Sequence, residues 1–242
     1  MRYLDMLAKL GIGNAHPGGF AATLEWLRNC SIPEGSRILE VGCGTGRTAC
    51  HLANRGFTVT AVDIRPDMLD KARFRAKQEA AVVSFIEGDV EDLPFESESF
   101  DVVLAESVTI FADSRKALSE YCRVLAPEGR LYDREMIAVK PLSVKLDTLV
   151  RNYYGVERLW SVPEWSIMLE EAGFTDTELL HPGVFDEWDW KDEMQYPDQS
   201  MVTDPSVYLD ERIWSMSRQY DEIMMNYGDH FGFGLWSCRK RK

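Results

Sequence analysis

The chain has 242 residues, of which 45% are hydrophobic, and its 40 acidic and 27 basic side chains give a formal net charge of −13. This length and apolar content can fill the core of one doubly wound sheet, and no run of about 18 apolar residues is present that could cross a membrane. The strong negative charge disfavours nucleic acid as a partner, because neutralising phosphates requires a basic surface. The five cysteines form no C-x-x-C pair, so we predict neither a disulfide framework nor a zinc site.

Residues 1–35 are predicted to form an N-terminal helical cap, with two short helices on either side of a glycine-rich turn at residues 11–19. Phe20, Leu24 and Leu27 recur at helical spacing, so we expect all three to be buried. The first residues carry charges where a signal peptide would carry an apolar block, and we therefore expect a cytoplasmic protein. Such a cap could fold over a bound ligand as a lid.

The most distinctive stretch is residues 38–46, an apolar strand that runs directly into three alternating glycines. Glycines permit a tight turn and a close approach of a ligand to bare backbone, and the amides at the start of the following helix, predicted over 47–54, point at that ligand. The spacing G-x-G-x-G differs from the G-x-G-x-x-G that seats a pyrophosphate. Glu40 would also repel a polyphosphate, so the pattern favours a cationic, nucleotide-like ligand.

At these residues the chain resembles the class I S-adenosylmethionine-dependent methyltransferases, whose first motif is acid-x-Gly-x-Gly-x-Gly after a hydrophobic strand. Glu40, Gly42, Gly44 and Gly46 match this motif position by position, with Cys43 inside it. The resemblance implies S-adenosyl-L-methionine as the cofactor and these five residues as part of its site. It also implies an α/β fold, a doubly wound, Rossmann-like and mostly parallel seven-stranded sheet with helices on both faces.

Two further predicted strands, residues 59–63 and 83–90, end in residues that fit the same family. At the end of the first, a doubly wound sheet presents an acid to ribose hydroxyls. At the end of the second, family members have an acid that accepts from the adenine amino group and a following residue that packs on the ring. The resemblance therefore implies four more cofactor-binding residues, which are Asp63, Ile64, Asp89 and Val90.

The fourth predicted strand, residues 100–106, ends at Glu106, which the resemblance places beside the methyl donor as a further cofactor-binding residue. A helix is predicted from residue 113 to 125 and a fifth strand over 130–138. Between them, many family members have a glycine at the position of Glu128, and we expect this departure to change only the turn.

We predict one methyltransferase domain over residues 1–242. A capping-box pattern at Ser161 predicts a helix that ends at Gly173, followed by a sixth strand at 174–180. The remaining predicted segments are the cofactor-binding core at 36–139, substrate-side insertions at 140–160 and 186–206, and a C-terminal helix and last strand within 207–242.

Two features of the cap and the second insertion each leave two interpretations open. His16 lies in the glycine-rich turn, either as part of a helix entry or as a group that orients the cofactor carboxylate or accepts a proton. Trp188 and Trp190 lie among acidic residues, which either hold a cationic amine or form an ordinary acidic surface loop.

The end of the fourth strand lacks the Asn/Asp-Pro-Pro-aromatic motif of enzymes that methylate amide or adenine nitrogens. Together with the negative charge, this favours a small-molecule methyl acceptor. Because a sulfonium is already a strong methyl donor, the protein needs mainly to align the acceptor for in-line transfer and to exclude water. We assign no catalytic residue and no metal ligand. The candidates for accepting a proton, by approximate position, are Glu106, Asp133, Glu135, Tyr153 and His230.

Two alternative functions stay open at this point. One is a regulatory or partner subunit that binds S-adenosylmethionine without turnover. The other is an aminopropyl transferase, for which an acidic pair after the fourth strand is expected, whereas Glu106 and Ser107 supply one acid. Nitrogen, oxygen, carbon and sulfur acceptors and any oligomeric state are all compatible with the sequence.

Overall fold

The computed structural model describes residues 1–185 and 195–242. Its centre is a seven-stranded sheet with the order β3-β2-β1-β4-β5-β7-β6. The strands are β1 (Arg37–Val41), β2 (Thr58–Asp63), β3 (Val83–Glu87), β4 (Phe100–Glu106), β5 (Leu125–Ala138), β6 (Phe174–Val184) and β7 (Phe231–Lys240). Within the described residues, β7 runs antiparallel to both of its neighbours, β5 and β6, and the other strand pairs are parallel. This confirms the predicted doubly wound, mostly parallel sheet, and the strand order reverses between β1 and β4, where such sheets bind ligands.

Helices cover both faces of this sheet. In chain order, those of the described residues are α1 (Tyr3–Leu10), α2 (Gly19–Asn29), α3 (Arg47–Asn54), α4 (Pro66–Gln78), α5 (Ser114–Val124), α6 (Val144–Tyr154), α7 (Val162–Glu171) and α8 (Glu211–Tyr227). One core lies between the sheet and α2, α3 and α4, and a larger one lies on the other face with α1 and α5 to α8. Along β4, Leu104 faces the first core and Val103 the second, as expected for a strand buried on both faces.

The N-terminal cap contains the two predicted helices, but its burial differs from the prediction in one place. Phe20 and Leu27 are buried, whereas Leu24 is half-buried. Trp26 takes the buried position instead, where its ring stacks on Tyr132 of β5 at a centroid distance of 5.0 Å. The Trp26 indole packs against the sheet, and Leu24 lies at the margin of the buried face of this helix.

Several element ends differ from the predicted ones for local physical reasons. β3 stops at Glu87 because Asp89 instead pairs with Asp92 in an isolated bridge. β7 is longer than predicted because it pairs with β5 as far as Arg239 and with β6 as far as Lys240, and β5 begins earlier than predicted, at Leu125, which pairs with Phe100 of β4. α8 begins at Glu211, where the Asp210 side chain accepts the Arg212 N–H and caps the helix.

The structure shows the start of α7 and the turn at Glu128, two places on which the sequence analysis commented. Ser161 and Glu164 form the capping box expected at the start of α7. Glu128 has a φ of +65°, a left-handed conformation that favours glycine, so the departure from the family pattern falls on a strained turn. Among the described residues, no helix is long and apolar enough to cross a membrane.

Candidate functional site

A cavity of about 1200 Å³ lies at the carboxyl ends of β1, β2 and β4. Its other walls come from the N-terminal cap, from α6 and α8, and from residues 195–203. Nine of the ten residues predicted to bind the cofactor line it, namely Glu40, Gly42, Cys43, Gly44, Asp63, Ile64, Asp89, Val90 and Glu106. The tenth, Gly46, lies behind the cavity, where an added Cβ would lie 2.9 Å from Ala72 and 3.0 Å from Phe85. Its small size serves the packing of α3 against α4 and β3.

The loop between β1 and α3 forms a backbone cradle in which two glycines have left-handed conformations. Gly42 has a φ of +58°, and a Cβ there would lie 2.4 Å from a methyl group of Val108. Gly44 has a φ of +53°, and no protein atom lies within 4 Å of a Cβ built on it. The space beside Gly44 is therefore part of the cavity, and a ligand can approach its backbone closely.

Asp63 fastens this cradle to the end of β2. One carboxylate oxygen accepts the N–H of Gly44 at 2.8 Å, and the other accepts the N–H of Arg65 at 2.9 Å. Burial raises the pKa of Asp63, and the two backbone donors oppose that shift. Each oxygen retains a second lone pair that can accept from a ligand hydroxyl.

Glu40 presents a buried carboxylate to the cavity. Its Oε2 atom has no hydrogen-bond partner among the described residues. Burial raises the pKa of Glu40 well above its usual value, and the nearby charges of Glu106 and Asp63 raise it further. A cationic ligand would offset this cost, because an opposite charge favours the ionised carboxylate. The sulfonium and ammonium groups of S-adenosylmethionine fit this requirement.

Glu106, at the end of β4, is the centre of a buried polar cluster. It accepts hydrogen bonds from the hydroxyls of Thr23 at 2.7 Å and Thr48 at 3.0 Å. His16 Nε2 lies 3.6 Å and Arg134 Nε 3.8 Å from its oxygens. Burial alone would raise the pKa of Glu106, but the charges of His16 and Arg134 and the two hydroxyls hold it below its usual value. Glu106 is thus an ionised carboxylate whose hydrogen bonds and ion pairs connect the cap and α3 to the sheet.

The structure gives the position of the His16 ring, while the two roles considered for it stay predictions. Its ring is buried in the cavity wall, with Nε2 3.2 Å from the Thr23 hydroxyl and Nδ1 3.4 Å from the Pro17 carbonyl oxygen. His16 therefore belongs to the Glu106 cluster, and its carbonyl oxygen also accepts the N–H of Gly19, the first residue of α2. Trp188 and Trp190 lie outside the described residues.

The other candidates for accepting a proton are less well placed. Tyr153 lines the cavity, but its hydroxyl donates to the Met216 carbonyl oxygen at 3.2 Å. His230 pairs with Asp229 at 2.9 Å and is not part of the cavity lining. Asp133 and Glu135 are fully buried behind the lining.

Asp133 and Glu135 support the loop that follows β4. Glu135 accepts the N–H groups of Val108 at 2.9 Å and Thr109 at 2.7 Å, and Asp133 accepts from the Thr109 hydroxyl at 2.9 Å. Burial raises the pKa of Asp133 from 3.8 to about 7 and that of Glu135 well above its usual value. The folded protein therefore retains protons here that the unfolded chain releases near pH 4.

We expect these protons to make the free energy of unfolding fall as pH rises from about 4 to about 7, because the native state binds more protons than the unfolded state in this range. Asp133→Asn should reduce that fall by about 2–4 kcal/mol. Urea denaturation at about pH 4 and about pH 8 measures it, with Asp70→Asn on the exposed face of α4 as the control. An unchanged pH dependence in Asp133→Asn would contradict the assignment.

Beyond the cradle, aromatic rings wall the other end of the cavity. Tyr3 of α1 stacks on Phe111 at 6.1 Å, and Tyr154 packs edge-on against Tyr3 at 5.0 Å and against Tyr153 at 4.8 Å. Burial raises the pKa of Tyr3 to about 12, so this phenol is neutral at physiological pH. The predicted insertion at 140–160 thus supplies part of this wall, and Gln195, Met201 and Thr203 of the second insertion also line the cavity.

The charges on the cavity lining are mostly negative. Among the residues that the structure describes, six carboxylates line it, from Glu40, Asp63, Asp89, Glu91, Glu106 and Asp221. The basic side chains of this described lining are His16 and Arg65, and Arg65 pairs with Asp5 at 2.7 Å and with Asp67 at 2.8 Å. This lining disfavours an anionic ligand. Within the described residues, no group of three or more His, Cys, Asp and Glu side chains is placed to hold a metal ion.

Sequence reasoning singled out His16 but missed the other partners of Glu106. Thr23 and Thr48 are ordinary helix residues with no local pattern that marks them. Arg134 offered one signal, since it lies between Asp133 and Glu135, and three consecutive charged residues inside a predicted strand need partners.

Comparisons with known proteins agree with this geometry. A family model described as "Methyltransferase domain" matches residues 39–133. An uncharacterized methyltransferase of Bacillus subtilis, YodH, is 36% identical over 240 residues, which cover 99% of each chain. A demethylmenaquinone methyltransferase of Clavibacter sepedonicus is 33% identical over 206 residues, which cover 72% of this chain and 82% of that one.

Solved structures show the same fold. Phosphoethanolamine N-methyltransferase 2 of Haemonchus contortus, in complex with phosphomonomethylethanolamine and S-adenosylhomocysteine, superposes with a TM-score of 0.76 at 21% identity. The match covers 98% of this chain and 57% of that one. The MccD protein superposes with a TM-score of 0.73 at 22% identity, over 94% of this chain and 100% of that one.

Proposed function

This chain belongs to the class I S-adenosylmethionine-dependent methyltransferases, and we propose that it methylates a small-molecule acceptor by direct in-line transfer. S-adenosyl-L-methionine is its cofactor. The observation that carries the proposal is the continuity of the cradle with an aromatic-walled chamber in one cavity of about 1200 Å³. Sites for one small ligand commonly measure about 300–1000 Å³, so this cavity has room for a cofactor and a second small molecule.

The residues of the cradle would hold the cofactor. The Gly44 backbone approaches it closely, Asp63 retains lone pairs for its hydroxyls, and the Glu40 carboxylate offsets its positive charge. When bound, this cofactor would supply an activated methyl group on a positively charged sulfur. The carbon–sulfur electron pair would stay on sulfur as the acceptor bonds to the methyl carbon, and any proton that the acceptor loses would pass to bulk solvent. The task of the protein is alignment and exclusion of water.

The acceptor would lie against the rings of Tyr3, Phe111 and Tyr154. Their apolar faces favour a neutral or cationic molecule, because the carboxylates of the lining repel anions. The same repulsion and the net charge of −13 support the prediction that nucleic acid is not a substrate. A cytoplasmic location stays a prediction.

The test is a screen of small amines, phenols and quinols with S-adenosylmethionine that carries a labelled methyl group, with nucleic acid and protein tested in parallel. We expect label in a small molecule and sequential initial-rate kinetics, since both ligands occupy one cavity. Ping-pong kinetics with a methylated enzyme would contradict direct transfer, and label in a polymer alone would contradict a small acceptor.

Filling the acceptor chamber should separate its role from that of the cradle. Ile213 of α8 is buried and lines the chamber, so Ile213→Trp should lower turnover of the acceptor by about tenfold or more while S-adenosylmethionine still binds. Met225, on the same helix and 86% exposed, provides the control substitution Met225→Trp. Equal turnover in the two variants would place the acceptor elsewhere.

A further inference from the structure

Residues 195–204 form a segment, here called the clasp, that runs along the cavity wall from α4 to α1. Three of its side chains line the cavity, those of Gln195, Met201 and Thr203. At the α1 end, the Thr203 hydroxyl donates to the Leu10 carbonyl oxygen at 3.0 Å, and the Asp204 N–H donates to that of Lys9 at 2.8 Å. The clasp is therefore fixed to the N-terminal cap by two hydrogen bonds.

At the other end, the clasp is fixed to α4 by a buried ion pair. The Arg75 side chain is 2% exposed, and its two terminal nitrogens donate to the two oxygens of Asp198 at 2.8 and 2.6 Å. Burial would raise the pKa of Asp198, but Arg75 holds it below its usual value. Such a bidentate pair fixes both distance and orientation. Lys71, one turn earlier on α4, donates to the Val202 carbonyl oxygen at 2.5 Å.

The same guanidinium also reaches the cradle. Its Nε atom donates to the Thr45 carbonyl oxygen at 2.9 Å, and Nη2 lies 3.3 Å from the Thr45 hydroxyl. Thr45 lies between the second and third glycines of the motif. A single buried side chain therefore bonds to the cradle on one side and to the clasp on the other.

Arg47, the first residue of α3, makes a parallel connection. One of its terminal nitrogens donates to the Tyr196 carbonyl oxygen at 2.5 Å, and the other to Asn14 Oδ1 at 2.8 Å. Its guanidinium also lies 4.1 Å from the centroid of the Phe20 ring. The clasp, the cap and the helix that closes the cradle thus meet at this residue.

We infer that Arg75 and Asp198 are positioning residues for the cofactor, joining the cradle to the clasp so that the two hold a bound S-adenosylmethionine together. The clasp connects α4 to α1 across the wall of the cavity, so a ligand in the cradle leaves by this side only when the ion pair opens. This inference rests on the proposed binding of S-adenosylmethionine in the cradle, and it does not depend on which molecule is methylated. It predicts slow release of cofactor and product.

A matched pair of substitutions separates this role from a purely structural one. Asp198→Asn removes the carboxylate by which the clasp pairs with Arg75. Glu79→Gln removes a second carboxylate that pairs with Arg75, whose oxygen lies 3.1 Å from Nη1, but Glu79 directly follows α4 and does not belong to the clasp. We expect S-adenosylhomocysteine to dissociate about tenfold faster or more from Asp198→Asn and at the wild-type rate from Glu79→Gln. Asp198→Glu, which keeps the carboxylate, should restore most of the slow release.

Stopped-flow displacement measures these rates, and an unchanged rate in a folded Asp198→Asn variant would overturn the inference. Hydrogen exchange of the wild-type protein tests it without a variant. S-adenosylhomocysteine should increase the protection of residues 195–204, and binding without this increase would also overturn it. Failure of the wild-type protein to bind S-adenosylhomocysteine at all would instead overturn the cofactor site itself.

Discussion

Replacing Gly44 by alanine should weaken the binding of S-adenosylmethionine about thirtyfold, which corresponds to about 2 kcal/mol. Gly44 lines the cavity with a φ of +53°, and no protein atom lies within 4 Å of a Cβ at this position. The added methyl group would therefore occupy space on the ligand side of the cradle without displacing protein atoms. Titration calorimetry of the variant and the wild-type protein measures the difference.

Gly35→Ala is the matched control for this substitution. Gly35 has a φ of +76° and an equally open surrounding, but it lies in the exposed loop before β1 and does not line the cavity. Both variants should lose about 1–2 kcal/mol of stability, because alanine is disfavoured in left-handed backbone. If the Gly44→Ala variant binds S-adenosylmethionine as tightly as the Gly35→Ala variant does, the cradle is not the cofactor site.

The second large effect is expected at Glu106. Glu106→Ala should lower the free energy of unfolding by about 3–5 kcal/mol, because it removes the carboxylate nearest to a buried guanidinium, that of Arg134. The Nε atom of Arg134 is buried and has no hydrogen-bond partner among the described residues, and Glu106 is the carboxylate 3.8 Å from it. The hydroxyls of Thr23 and Thr48 lose their acceptor at the same time.

Two further variants make the result specific. Glu106→Gln keeps the shape and one acceptor oxygen but loses the charge, so its stability should lie between those of the wild type and Glu106→Ala. Glu91 also lines the cavity, but its side chain is 30% exposed, so Glu91→Ala should cost about 1 kcal/mol or less. Urea denaturation of the three variants gives the order, and a Glu106→Ala protein as stable as the wild type would contradict the role of this cluster.

The sequence predicted the fold well because the cofactor half of a doubly wound sheet has strong local signals. The strand that enters the glycines at Gly42 is apolar over residues 38–41 except at Glu40, and Asp63 and Glu106 end two more mostly apolar strands. Parallel strands bring their carboxyl ends to one edge, so residues that end strands meet in space without any further information. Nine of the ten predicted residues line one cavity for this reason.

The contacts that complete the site were beyond such reasoning, because they join residues that are far apart in the chain. Thr23 and Glu106 are 83 positions apart, and Arg75 and Asp198 are 123 positions apart. Neither pair follows from helix or strand period. Gly46 differs in the opposite way, because it belongs to the motif but packs against Ala72 and Phe85 and does not line the cavity.

The most direct test of the central claim is calorimetric titration of the wild-type protein with S-adenosylmethionine and with S-adenosylhomocysteine, using NAD as the negative control. The cradle, Asp63 and the unpaired oxygen of Glu40 predict one site per chain with dissociation constants of about 1–100 μM for both ligands, and no binding of NAD. Absence of binding by both S-adenosyl ligands, or tighter binding of NAD, would contradict the assignment of this cavity as the site of a methyl donor.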